Sequence, residues 1–314
     1  MTIVTQAPVL PPALPGERIE FMSTAGRLSY YGLAPHNQKP RTDARPMLLI
    51  HSMNASGSAA EMRPLYEHYG QSRAVYALDL PGFGSSDKSD REYLPRLMTD
   101  AVLGMVTRIR AEHNGAPVDG LALSLGCEFL ARAAAESPAD FASVALVSPT
   151  GFNGRKPRLG PPESVVGSHA VHRALAWQGW SSGLYRQLTR PGIIRFFLEK
   201  TWGGKQIDEA LWRYDVLVTQ QPGAKHAPLY FLAALLFSAD IMHVYDALKR
   251  PTWLVHGVRG DFVDYRLKSR FAAAPNWSMD VMETGAMPYF EAPTEFFRRY
   301  DAFLMSAHSL CFHA

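Results

Sequence analysis

The stretch VDGLALSLGCEFLARAAAE, residues 118–136, decides the fold. Its first half, VDGLALS (118–124), is a short apolar run of strand character. Its second half, LGCEFLARAAAE (125–136), has helical composition. The change falls at Ser124 with no loop between. A serine on so sharp a turn is lifted clear of the sheet, and the small Ala122 and Gly126 on either side permit the tight backbone. The helix that starts behind it favours negative charge. The backbone N–H of Leu125 is a candidate oxyanion donor.

Working outward, short apolar runs alternate with longer amphipathic ones. ERIEFMS and LSYYGLA (17–34) read as a hairpin, and PMLLIHS (46–52), RAVYALDL (73–80) and FASVALVSP (141–149) as strands. Helices are expected over AAEMRPLYEHY, where Pro64 is a complication, and over 94–113. This rhythm implies a mostly parallel sheet with helices on both faces. It breaks at Pro149. GFNGRKPRLGPPE (151–163) reads as a connection out of the domain, and 164–238 as helical, with LYFLAALLF (229–237) as one buried helix. Strands resume at PTWLVHG (251–257) and WSMDVME (277–283), before a closing helix at 292–306. The expected organisation is an extended arm over 1–16, an α/β core over 17–150 and 239–314, and a helical lid over 151–238.

Composition narrows the classes. Of 314 residues, 47% are hydrophobic and 19% charged, too apolar for a disordered chain. Lys and Arg number 32 against 29 Asp and Glu, with no basic block, so no nucleic-acid partner is expected. Two cysteines, Cys127 and Cys311, make no disulfide framework and fit a cytoplasmic protein. No apolar run reaches the ~18 residues of a spanning segment, so no membrane partner is expected. Neither zinc-ligand spacing nor a phosphate-cradling strand–turn–helix occurs, so no metal or cofactor is expected.

With these features together, the chain resembles the α/β-hydrolase fold superfamily over nearly its whole length. IHSMNASG (50–57) matches the loop after the third strand, DLPGFGSSD (79–87) the family's Asp-x-Pro-Gly-x-Gly-x-Ser turn, and Ser124 the nucleophile. LVHGVRGDFVD (254–264) matches the segment bearing the triad acid, here Asp261, with Asp264 as the neighbouring alternative. The resemblance implies a second oxyanion N–H from Met53 or Ser52. It implies a pocket near His51 and Asn54, reached by Trp177, Trp180 and Tyr289. It also implies a small hydrophobic ester, lactone or C–C substrate.

One landmark fails. The family's histidine stands in a Gly-His segment five residues before a Glu-x-Pro. In TGAMPYFEAP (284–293), Ala286 occupies that place, and no histidine lies between His256 and His308. A serine hydroxyl without a base is a weak nucleophile at neutral pH. Three explanations are open. Ala286 replaces a parental histidine; another histidine serves, with His51, His226 and His243 as candidates; or the protein lacks the base and binds or rearranges a small metabolite. Cys127, one turn after Ser124, reads as a buried structural thiol, and Glu128 as a local ion-pair partner. The oligomeric state is not legible.

Overall fold

A computed structural model describes residues 8–33, 45–154, 156–260 and 264–311. Eight strands form one sheet: β1 (Arg18–Ser23), β2 (Gly26–Leu33), β3 (Met47–Ile50), β4 (Val75–Asp79), β5 (Val118–Leu123), β6 (Phe141–Val147), β7 (Thr252–Gly257) and β8 (Trp277–Met282). Their order is β1-β2-β4-β3-β5-β6-β7-β8. The β1–β2 hairpin runs antiparallel along one edge, and β3 to β8 are mutually parallel.

Strands β3 to β7 read as continuous apolar runs because both faces are covered. In β3, Leu48 and Ile50 enter one core with Met98, Val102, Phe129 and Leu130. Met47 and Leu49 enter the other with Leu65, Tyr66, Phe296 and Tyr300. The first core lies under α2 (Pro95–Glu112) and α3 (Gly126–Glu136), and the second under α1 (Arg63–Tyr69) and α11 (Pro293–Cys311), so Pro64 opens a helix rather than kinking one.

Between β6 and β7 the chain leaves the sheet for α4 (His169–Leu175), α5 (Ser181–Leu188), α6 (Pro191–Trp202), α7 (Glu209–Thr219) and α8 (His226–Leu232), returning through α9 (Ile241–Asp246). The expected single helix over 229–237 ends at Leu232 instead. Ala234 takes a left-handed φ of 58° there, and the chain turns back so that Ser238 bridges Val165. Both ends of the insertion are tied to α3: Glu128 accepts from Arg158 and from the Ser238 N–H, and Arg132 pairs with Asp240. Finally, α10 (Pro288–Glu291) precedes α11.

The winding sense reverses at β3, which is flanked by β4 on one side and β5 on the other. Open parallel sheets bind ligands at the carboxyl ends of strands at such a switch point. The loop after β3 and the turn after β5 meet there, and both carry expected site residues.

Candidate active site

Ser124 directly follows β5 with φ of 53°, a left-handed conformation costly for a residue with a side chain. Its backbone is held from both sides: its N–H donates to Val147 O (2.8 Å), and its carbonyl accepts from Cys127 N–H (3.2 Å). Strain of this kind persists only where the surrounding structure holds it. Gly126 is obligatory for packing, because a Cβ there would sit 2.4 Å from the His51 carbonyl oxygen. The β3 loop and the turn after Ser124 are therefore in backbone contact. The hydroxyl of Ser124 meets no hydrogen-bond acceptor among the described residues.

The loop after β3 is organised by a carboxylate that the sequence reading overlooked. Glu61 accepts from the Ser52 N–H (2.6 Å), the Ser52 hydroxyl (2.9 Å) and the Asn54 amide (2.9 Å). The Asn54 carbonyl oxygen accepts from Ser56 N–H (2.6 Å) and Ser56 Oγ (3.1 Å). Asn54 thus builds the loop instead of facing a ligand. Because the Ser52 N–H is spent on Glu61, Met53 is the better donor candidate of the two. The N–H groups of Met53 and Leu125 form no hydrogen bond among the described residues.

Asp215 of α7 comes down on this loop. It is 1% exposed, and its Oδ1 has no hydrogen-bond partner. Burial, together with the nearby Glu61 charge, drives its carboxyl well above the ordinary value. Tyr289, fully buried with an unpartnered hydroxyl, reaches the same region, and burial with Glu61 and Cys127 nearby raises its phenol. It is a core residue rather than a wall of an open pocket.

The segment expected to carry the base is packed under the insertion. Ala286, 7% exposed, donates its N–H to Thr201 O of α6 (2.9 Å) and accepts from Ser148 Oγ (2.8 Å). The Gly285 N–H donates to Glu291 (2.6 Å), and a Cβ on Gly285 would meet Trp202 O at 2.5 Å. Asp261 lies outside the described residues. Asp264 is turned elsewhere, accepting from Gly154 N–H and Arg266 N–H.

Of the histidines proposed as substitutes, His51 is spent on the loop itself. Leu80 N–H donates to His51 Nε2 (3.0 Å), so the ring proton sits on Nδ1 and is given to Ser52 O (2.6 Å). Both ring nitrogens of this fully buried residue are therefore spent on fixing the loop. His226 lies 3.2 Å from Asp90, and His243 is exposed on α9. His256 gives Nδ1–H to Gly257 O and accepts from Lys268 at Nε2, and burial aided by the Lys268 charge lowers its pKa. His36 and His313 lie outside the described residues.

Trp177 and Trp180 stand 57% and 52% exposed, packed edge to face on each other. The structure places them on the surface, not in an enclosed pocket. Cys127 is buried, its thiol directed at Ala122 O (3.1 Å), and burial raises its pKa. Glu128 also accepts from Thr150, so its pairing is structural. Among the described residues no group of three His, Cys, Asp or Glu could hold a metal ion. No helix among them is long and apolar enough to cross a membrane.

The family model described as "Alpha/beta hydrolase family" matches residues 47–299. Among solved structures, the chain is similar to a probable hydrolytic enzyme from Pseudomonas aeruginosa PAO1 (20% identity, TM-score 0.67, covering 94% of this chain and 96% of that one). It is also similar to a thermophilic esterase from Thermogutta terrifontis (16%, TM-score 0.68, 93% and 100%). A meta-cleavage product hydrolase from Pseudomonas fluorescens IP01 is similar too (16%, TM-score 0.66, 93% and 98%). No protein of curated function matches the sequence.

Proposed function

Because this chain belongs to the alpha/beta hydrolase family, we propose that it holds a small apolar carbonyl compound at Ser124 and lacks the serine–histidine turnover of an esterase. The ligand's carbonyl oxygen would take the N–H groups of Leu125 and Met53, with the Ser124 hydroxyl against its carbon. One observation carries the reading: Ala286 stands where the base belongs, and both ring nitrogens of His51 and of His256 are already hydrogen-bonded. Without a base, attack by the serine hydroxyl must proceed from its neutral form. What the site keeps is electrostatic complementarity to a polarised carbonyl, which by itself supports only slow acyl transfer.

A second reading is favoured by the backbone around position 286. Its N–H and carbonyl are both held, so the loop would present a parental histidine from the same place. In that case the chain is a serine hydrolase of small esters, lactones or C–C substrates with its base removed.

The experiment is turnover of short p-nitrophenyl esters and fluorophosphonate labelling of Ser124, with Ala286→His alongside. The wild type is expected to show neither labelling nor turnover beyond a slow background. Ala286→His should raise turnover by at least ~100-fold if position 286 is the base position, since triad members act as a unit. Wild-type labelling and turnover at ordinary esterase rates would overturn the non-hydrolytic reading. A histidine codon at 286 in the natural gene would favour the second reading.

A further inference from the structure

The insertion differs from the rest of the molecule in charge and in what it exposes. Residues 151–238 hold eleven Lys and Arg against five Asp and Glu, a net +6, while the remainder carries 21 against 24, a net −3. One of those five acids, Asp215, is buried against the core. Of the fourteen large apolar side chains that are exposed among the described residues, seven fall within 166–200. So dense a grouping marks an interaction surface rather than scattered exposure.

Helix α6 shows the pattern most sharply. Ile194 and Trp202 are buried, with Leu198 packed against the same core. The other side carries Ile193, Phe196 and Phe197, at 37%, 56% and 48% exposure, with exposed Lys200 one turn on and Arg190 just before the helix. These positions are spaced 3, 3, 1 and 3 apart, which puts them on one stripe of a 3.6-residue helix. The helix is thus apolar toward the core and again toward water. Earlier in the insertion, the Trp177–Trp180 pair repeats the combination, with exposed Arg173 in the preceding helix. Arg173 and Arg190 have no carboxylate partner among the described residues.

We propose that the outer stripe of α6 and the Trp177–Trp180 turn lie together on an anionic phospholipid surface, with Phe196, Phe197 and the tryptophan pair entering the headgroup–acyl boundary and the flanking arginines meeting lipid phosphates. Exposed aromatic side chains bordered by Lys and Arg on a short helix fit an interfacial helix in the bilayer plane. Charge argues against a second copy of this chain as the occupant: a self-contact would set five basic residues and one acid of 166–200 against the same set. The lack of a spanning helix does not bear on a helix that lies on a bilayer.

The test is flotation of the full chain with vesicles of phosphatidylcholine alone and with 30% phosphatidylserine added, at low and high salt, scoring bound fraction and tryptophan emission. Expected are binding to the anionic vesicles only, loss of most binding at high salt, and a blue shift on binding. Phe196→Ser with Phe197→Ser should weaken partitioning at least tenfold while leaving the melting temperature and helix content unchanged, since both rings are exposed. Arg173→Gln with Arg190→Gln should weaken it several-fold at low salt. Absence of binding, equal binding to neutral vesicles, or partitioning unmoved by the phenylalanine changes would overturn the proposal. So would a concentration-dependent dimer in sedimentation that the phenylalanine changes abolish. None of these readouts depends on activity at Ser124.

Discussion

Asp215→Asn is the most discriminating change for the electrostatics of the site. The carboxyl lies on α7, 1% exposed, with an unpartnered Oδ1 and the Glu61 charge beside it. Its pKa in the fold is well above 3.8, its ordinary value. Between those two values the folded protein binds one more proton than the unfolded chain, so stability falls as pH rises. The limiting slope is one proton, ~1.4 kcal/mol per pH unit. Asparagine matches the shape of the neutral acid and cannot titrate. Urea unfolding of both proteins from pH 5 to 8 should therefore give a wild-type stability that declines relative to the variant as pH rises, with the variant the more stable at the alkaline end. Other titrating groups are common to both proteins and cancel in the difference. Hydrogen exchange in α7 should quicken with pH in the wild type and less in the variant. A stability difference that stays constant within ~0.3 kcal/mol across this range would refute the argument, since Asp215 would then be ionised in the fold as it is in the unfolded chain.

Two further changes address the elbow. Ser124→Gly should melt higher than Ser124→Ala, by the equivalent of ~1 kcal/mol, because glycine removes the left-handed cost at φ of 53° and alanine keeps it; equal melting temperatures would mean that this backbone is unstrained. Gly126→Ala should destabilise by ~1–3 kcal/mol, because its Cβ would lie 2.4 Å from His51 O and must push the two loops apart; a melting temperature unchanged within error would show that this contact is loose.

The strand–turn–helix at 118–136 was legible because it is local. The apolar run, the serine and the flanking small residues specify the turn over a few positions. The hairpin, the parallel strands and the place where the chain leaves the sheet were legible for the same reason, since each is written in periodicity. The break in LYFLAALLF was not. Nothing within that run distinguishes a nine-residue helix from a seven-residue helix over 226–232 followed by turns; the stop comes from packing, in which a Cβ on Gly167 would meet Ala233 O at 2.0 Å. The surface position of Trp177 and Trp180 was equally invisible, because aromatic residues at helical spacing look alike whether they face a core or water.

The candidate site divides along the same line. By itself the sequence placed Ser124 on its turn, showed Ala286 where a histidine was expected and set the order of the segments around them. Only the tertiary structure decided what those residues meet. It spent the Ser52 N–H on Glu61, bound both nitrogens of His51 into the loop it was expected to serve, buried Asp215 of α7 within reach of the Glu61 charge and held Ala286 beneath α6. Glu61 follows Ser52 by 9 residues, and Asp215 follows Glu61 by 154. Local pattern carries no record of such separations, because a hydrogen bond or a buried charge depends on which atoms the folded chain brings together.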